Sequence, residues 1–451
     1  MDKILIANRG EIALRIMRTC KKLGIQTVAV FSEADEHMPF VRGADASFLI
    51  GPGPVQQSYL KADDIIDIAI REKVDAIHPG YGLLSENAAF ARKIEEAGLI
   101  FIGPDADTIE LMGDKIASRT KMKDAGVPVV PGTDAGVASL EEAIEAAEEI
   151  GYPIMLKASA GGGGIGMVCC ENEQALSQHF QSVKTRAKAY FGDDVVFLEK
   201  FIDKARHIEV QIFGDSKGNI VHLFERNCSV QRRNQKVIEE SPSPALSDDV
   251  KNRLHAAAVA AAEAVNYRNA GTVEFILSNN DEFYFLEMNT RLQVEHPVTE
   301  EVTGFDLVQW QIEVARGNEL PCTSQSDIHS NGHAIEYRIY AEDPKTFLPS
   351  PGTITTLSYE EFEGVRIDRG YDEGGKVTPF YDPMIAKVII HGTQRQEAID
   401  KSKKFFETLT IDGVKTNIPL FEEFVDSTEF GKGDYNTDVL PQWLKKKKEE
   451  I

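Results

Sequence analysis

The stretch FLEMNTRLQVEHPVTE, Phe285 to Glu300, sets polar residues at every second position: Glu287, Asn289, Arg291, Gln293 and Glu295. Between them stand Leu286, Met288, Thr290, Leu292 and Val294. In extended chain, successive side chains point to opposite faces, so this pattern builds one polar row backed by a mostly apolar one. An edge strand with one face in water would account for the alternation. Solvated faces, however, usually mix Thr, Lys, Ser and Glu, whereas this row has no Lys. Carboxylate and amide oxygens can hold a hard metal ion, and a guanidinium can clamp a carboxylate-like or phosphate-like group. The order suits a cation followed by an anion.

The preceding residues sharpen the metal half. TVEFILSNNDEFYFLEMN has the form of a hairpin around Ser278, Asn279, Asn280 and Asp281. With those residues as the loop, Leu277 pairs with Glu282, Glu274 with Phe285, and Thr272 with Glu287. Glu274 and Glu287 then share a sheet face as diagonal neighbours, about 7–8 Å apart at the backbone. Carboxylates so placed repel unless a cation sits between them. Asn289 adds a neutral oxygen, and Glu274, Glu287 and Asn289 together suit Mg²⁺ shared with substrate phosphates.

Phosphates have candidate partners elsewhere. SAGGGGIGM, Ser159 to Met167, offers free backbone N–H groups and hinge freedom, although a glycine run alone also fits a flexible loop. It is not a P-loop, since no G-K-[ST] follows. Lys157, just before it, supplies a cation, and a strand lysine beside a glycine-rich lid is one solution for nucleotide phosphates. Glu199 to Ile202 in VVFLEKFI could offer backbone groups to an adenine edge, or be ordinary core strand. VQRRNQK gathers Arg232, Arg233 and Lys236, read either as a solvated basic loop or as the cationic wall of an anion pocket. His78 and His207 lack metal-ligand spacing, and His78 reads as a core or hydrogen-bonding histidine.

Three units must position these groups. KILIAN, GEIALRIMRTCKKLG and QTVAVFS open an alternation of strands and helices that argues for a parallel, doubly wound sheet ending near Met112. Its first turn, A-N-R-G-E, lacks the G-x-G-x-x-G fingerprint, so a nicotinamide cofactor is not supported. A second unit runs from Gly113 to the polar stretch CTSQSDIHSNG. A third, from about Gly332, reads as short strands and turns, a helix and a solvated KKKKEE tail. The chain's 451 residues are 42% hydrophobic and 27% charged, as in an ordinary globular protein. Lys plus Arg number 49 and Asp plus Glu 72, a net charge of −23 that argues against general nucleic-acid binding. No apolar run is long enough to cross a bilayer, and no secretion signal is evident, so a cytoplasmic location is expected. The cysteines form no CxxC pair, so neither a disulfide framework nor a zinc site is indicated.

HPGYGLLSEN, MGDK, LKASAGGGG, QRRNQKVIEE, GTVEF, FLEMNTRLQVEHPVTE and RIYAEDP together resemble the biotin carboxylases of the ATP-grasp fold, in order and over nearly the whole chain. The resemblance implies an α/β and α+β multidomain chain. Residues 1–112 would form a Rossmann-like domain, 113–330 an ATP-grasp domain with a lid at about 131–203, and 331–451 a β-rich C-terminal domain. It implies that Lys115 and Lys157 contact ATP phosphates, with Gly163 and Gly164 in the lid. Glu199, Lys200, Phe201, Ile202 and His207 would face adenine and ribose, with Gln231 and Asn234 also at the nucleotide. Glu274, Glu287 and Asn289 would hold Mg²⁺, with Mn²⁺ as the alternative ion. Lys236, Arg291, Gln293 and Val294 would hold bicarbonate, Glu295 would be its general base, and Arg338 would steady the biotin enolate.

The same resemblance implies a homodimer working with a biotin carboxyl carrier protein and carboxyltransferase subunits. No Met-Lys-Met biotinylation site occurs, so biotin is expected as a carrier-bound substrate. Acetyl-CoA carboxylase, in fatty acid biosynthesis, is one setting; propionyl-CoA, methylcrotonyl-CoA and pyruvate are other acceptors. Ile165 and Val168 replace two arginines usual in the lid, and Asn234 replaces a histidine, which puts nucleotide contacts in question. The rival readings are another ATP-grasp ligase, separated by biotin-dependent ATP cleavage, and a nucleotide-binding regulatory descendant, separated by binding without turnover.

Overall fold

Alternating strands and helices give the N-terminal unit its parallel sheet. In the computed structural model, which describes residues 1–159 and 166–449, this sheet holds β1 (Lys3–Ile6), β2 (Gln26–Phe31), β3 (Ala46–Leu49), β4 (Ala76–His78) and β5 (Ile100–Phe101). Their order is β3-β2-β1-β4-β5. Helix Gly10–Lys22 crosses from β1 to β2, burying Ile12, Ala13, Ile16, Met17 and Cys20 at helical spacing. Lys21 and Lys22 complement the carbonyl end of its dipole. Gly163, Gly164 and Ile165 lie outside the described residues.

A small antiparallel sheet follows, β7 (Met167–Cys170), β6 (Ile154–Ala158) and β8 (Val196–Lys200), with helices Leu140–Ile150 and Glu173–Phe191 packed against it. Helix Glu173–Phe191 has no counterpart among the sequence expectations. Leu176, Phe180 and Val183 anchor it to the small sheet within an otherwise polar stretch.

The largest sheet carries the chemistry. β9 (Arg206–Gly214), β10 (Ile220–Arg232), β11 (Gln235–Ser241), β12 (Asn269–Leu277), β13 (Phe283–Asn289) and β14 (His333–Tyr340) join strands Met384–Gly392 and Val365–Arg369 in an eight-stranded antiparallel array. β14 pairs with β11, so the first strand after the polar linker extends the sheet of the unit before it.

Three expectations need correction. β12 and β13 pair Leu277 with Phe283 and Phe275 with Phe285, not Leu277 with Glu282 and Glu274 with Phe285. Asp281 adopts a left-handed φ of 59° and the Ser278 N–H donates to the Glu282 carbonyl at 2.8 Å, so Glu282 joins the turn. A bulge at Leu286 then places Glu274 directly opposite Glu287, and Thr272 opposite Asn289. Second, VQRRNQK is not a loop. β10 runs to Arg232, β11 starts at Gln235, and Arg233 (φ 52°) and Asn234 (φ 64°) form a two-residue connection of the primed type. Third, the polar row is regular strand only as far as Asn289. Glu295, at φ −81° and ψ 10°, sits at the start of helix His296–Thr303.

Arg226 on β10 is fully buried, donating to Glu209 at 2.5 Å, Gln211 at 2.8 Å, Thr299 at 3.0 Å and Thr272 at 3.2 Å. Losing one partner of a buried ion pair costs about 3–5 kcal/mol. Arg226→Ala is therefore expected to lower unfolding free energy by about that much, read as a fall in the urea midpoint; an unchanged midpoint would contradict this account.

Candidate active site

A cleft of about 1150 Å³ gathers residues from all three units. Lys115, Lys157, Glu199, Lys200, Phe201, Ile202, His207, Gln231, Asn234, Lys236, Glu274, Glu287, Asn289, Arg291, Gln293, Val294 and Arg338 all line it. Glu295 does not; it lies beneath that surface, with no solvent exposure.

At one end, Asp114 caps helix Lys115–Asp124 through the N–H groups of Ile116 and Ala117, at 2.9 and 3.0 Å, and so fixes Lys115 in the first turn. Burial lowers the pKa of Lys115, with Glu287 opposing that shift. Lys157 on β6 pairs with Glu199 on β8. Lys200 instead donates to the carbonyls of Gly151 and Tyr152, at 2.7 and 3.0 Å.

At the other end, Lys236 Nζ lies 2.6 Å from Glu209, 2.9 Å from Glu274 and 2.7 Å from Glu295. Arg338 is 3.0 Å from Glu295 and 2.5 Å from Glu239. Against the burial that raises it, Lys236 and Arg338 hold the Glu295 carboxyl well below the usual carboxylate range. Arg291 donates to Glu86 at 2.8 Å, and to Asn289 and Gln293 at 3.0 Å each. His207 Nε2 is 2.8 Å from Glu274 Oε2, while its Nδ1 meets Gln231 at 2.9 Å.

The donor set fits a divalent cation. Glu287 faces Glu274 across the bulge, and its carboxylate has no hydrogen bond or ion pair among the described residues. Burial and the charge of Glu274 raise its pKa. Asn289 donates its amide to Glu274 at 2.9 Å while its oxygen accepts from Arg291. A hard ion between Glu274 and Glu287 would relieve their repulsion and draw on that oxygen.

The expected cationic wall shrinks to Lys236. Arg232 is buried in an ion pair with Glu342 and lies 4.3 Å from the Phe347 ring centroid, and Arg233 points to solvent. His78 is the hydrogen-bonding core residue expected, accepting from Gly80 N–H at 3.0 Å, and burial pushes its pKa down to about 3. Glu86, Glu209, Arg226, Glu239 and Glu336 escaped the sequence reading. A signal existed for Glu209 and Glu239: each is an acid on a strand that is otherwise largely apolar, HIEVQIF and KVIEE.

Family models describe three stretches of the chain: "Biotin carboxylase, N-terminal domain" at 1–109, "Carbamoyl-phosphate synthase L chain, ATP binding domain" at 114–323, and "Biotin carboxylase C-terminal domain" at 336–442. Biotin carboxylase 2 of Bacillus subtilis is 55% identical over 98% of this chain and 99% of its own length. A pyruvate carboxylase subunit of Methanothermobacter thermautotrophicus is 50% identical over 98% of this chain and 90% of its own. The biotin carboxylase domain dimer of Hydrogenobacter thermophilus 2-oxoglutarate carboxylase, solved with MgADP, ADP and bicarbonate, aligns with a TM-score of 0.95. It is 47% identical, covering 98% of this chain and 97% of that one.

Glu287→Gln removes one of two facing charges. It is expected to weaken Mg²⁺ binding in the presence of nucleotide by about tenfold or more, roughly 1.4 kcal/mol, while leaving the apo fold as stable or more so. Titration calorimetry and thermal melts check the two halves; unchanged Mg²⁺ affinity would remove Glu287 from the metal set.

Proposed function

Because the chain belongs to the biotin carboxylase family, we propose that it carboxylates biotin with ATP and bicarbonate, by way of carboxyphosphate. The reaction is the first half of a biotin-dependent carboxylation. The observation that carries this reading is the meeting, in one cleft, of a cation-seeking Glu274–Glu287 pair with Lys236, Arg291 and Arg338 around a buried Glu295.

Bicarbonate is a poor nucleophile, so its proton should leave as its oxygen attacks the γ-phosphorus. We assign that proton to Glu295. In the free protein Lys236 and Arg338 keep it ionised but weakly basic. When bicarbonate and the γ-phosphate arrive, those cations serve new anions, and the proton affinity of Glu295 rises where it is needed. Lys236 and Arg291 hold the two anions together, supplying proximity and charge stabilisation, with Gln293 and Val294 completing the bicarbonate pocket. Attack breaks the bond between the β–γ bridging oxygen and the γ-phosphorus, giving ADP and carboxyphosphate, which yields CO₂ and phosphate beside the biotin ureido ring. That phosphate takes the N1 proton, and Arg338 stabilises the resulting enolate. Glu274, Glu287 and Asn289 would hold Mg²⁺ or Mn²⁺, which when bound neutralises phosphate charge.

For the nucleotide we assign Lys115 and Lys157 to the phosphates, and Glu199 to Ile202, His207, Gln231 and Asn234 to the base and ribose. The domain limits we propose are 1–112, 113–330 and 331–451. Biotin arrives on a separate carrier protein, carboxyltransferase subunits consume the product, and the chain works as a homodimer in the cytoplasm. The dimeric 2-oxoglutarate carboxylase domain supports the dimer. Among the described residues no helix is long and apolar enough to cross a membrane. Two of the similar proteins are named for different acceptors, pyruvate and 2-oxoglutarate, so acetyl-CoA and a role in fatty acid biosynthesis stand as one proposal beside pyruvate and other acceptors.

ADP release with Mg²⁺ and ATP is expected to require bicarbonate and to rise on adding free biotin or a biotinylated carrier domain. ATP bound but uncleaved under every combination would overturn the reading. Glu295→Ala should abolish bicarbonate-dependent release and keep nucleotide affinity, measured by calorimetry; lost ATP binding in a folded variant would mean the residue is misassigned.

A further inference from the structure

Behind Arg338 lies a pair of acids that the mechanism above leaves unused. Glu239 on β11 and Glu336 on β14 are direct cross-strand partners, and neither has any solvent exposure. Side chains so opposed have Cβ atoms about 4.5–5.5 Å apart. Glu239 Oε1 accepts from Arg338 Nε at 2.6 Å, but its Oε2 has no hydrogen-bond partner among the described residues. Both carboxylate oxygens of Glu336 lack one as well. A buried polar atom without a partner is costly, and two facing carboxylates without a proton are costlier.

The surroundings do not supply the missing charge. Glu336 is faced by Glu239 from β11, by Arg338 of its own strand, by Lys387 from strand Met384–Gly392, and by Glu295 at the start of helix His296–Thr303, which packs against β14. Lys387 already donates to the Val294 carbonyl at 2.8 Å and lies 3.3 Å from Glu11. Arg338 is divided between Glu239 and Glu295. His296 is kept neutral by burial and by the neighbouring cations.

We propose that Glu239 and Glu336 share a single proton and act as a positioning pair for Arg338. The geometry calls for it: Glu336 as a neutral acid donates to the free oxygen of Glu239, and Glu239 keeps one oxygen for the guanidinium. Arg338 is then held in place by a single shared charge on that side. It retains enough positive character to meet negative charge developing on a ligand. Ionisation of the second acid would add an anion behind Arg338 and draw its charge away from the cleft. Burial supports the assignment, pushing Glu336 well above the ordinary carboxylate range with Lys387 opposing. It also takes Glu239 to about 7, with Arg338 opposing and Glu295 adding.

The functional half of this inference rests on the carboxylase reading; the shared proton does not. Glu336→Ala removes the donor and is expected to lower kcat for biotin-stimulated ADP release about tenfold with the KM for ATP unchanged. Glu336→Gln restores a neutral donor, so it should recover most of that loss. A fall in kcat at alkaline pH is expected in the wild type, and it should disappear or move upward in the Gln variant. Equal losses in Ala and Gln, or a Gln profile parallel to the wild type, would overturn the positioning role. An infrared difference spectrum between wild type and Glu336→Gln at neutral pH should show the carbonyl stretch of a protonated carboxylic acid. Its absence would overturn the shared proton whatever the activity.

Discussion

Lys236 touches carboxylates that come from three different elements: Glu209 on β9, Glu274 on β12, and Glu295 at a helix start. Removing its ammonium would leave three buried anions facing one another where water screens them little. The pattern extends on both sides. Arg226 holds the far side of Glu209, and Arg338 the far side of Glu295 before reaching Glu239. Charges of alternating sign thus run across the sheet as a continuous ladder. Each rung is tolerable only because its neighbours are present, which fixes strand register and side-chain rotamer together. The same ladder gives a strongly acidic protein a local cationic surface where anions must bind.

The units of the chain meet around that ladder. Glu86, in the loop leading to helix Ala88–Glu96, accepts from Arg291 and from the Thr290 N–H at 3.1 Å. Arg15 of helix Gly10–Lys22 joins Glu300 at 2.5 Å and Asp306 at 2.8 Å, and Arg366 from the C-terminal segment reaches the same Glu300 at 2.8 Å. The row from Arg291 to Glu295 is therefore held by segments distant in sequence on either side of it. This explains why it can leave regular strand geometry after Asn289 and still present its side chains in order.

Much of this was legible in the residues. The parallel sheet followed from strand–helix alternation, and the facing acids followed from parity in a hairpin, although the register was off by a residue and a bulge restored the pairing. Parity survived because a bulge adds a residue on one strand only, a device with no signature in FYFLEMN itself. Glu239 and Glu336 were invisible as a pair. Their meeting depends on β11 pairing with β14 across the polar linker, a long-range choice that local pattern does not encode. Arg232 misled for a related reason: its charge counted towards a pocket in the sequence, but a two-residue turn aims it at Glu342 instead.

That turn has a consequence for how the chain comes together. Asn is among the few non-glycine residues enriched in left-handed backbone, so Asn234, at φ 64°, costs little there. A loop this short also loses little chain entropy on closing. β10 and β11 are thus well placed to pair early. Arg226, Lys236 and Glu239 all ride on these two strands. The hairpin would bring the first members of the charge ladder together before the more distant strands arrive, making it a template on which the remaining carboxylates dock.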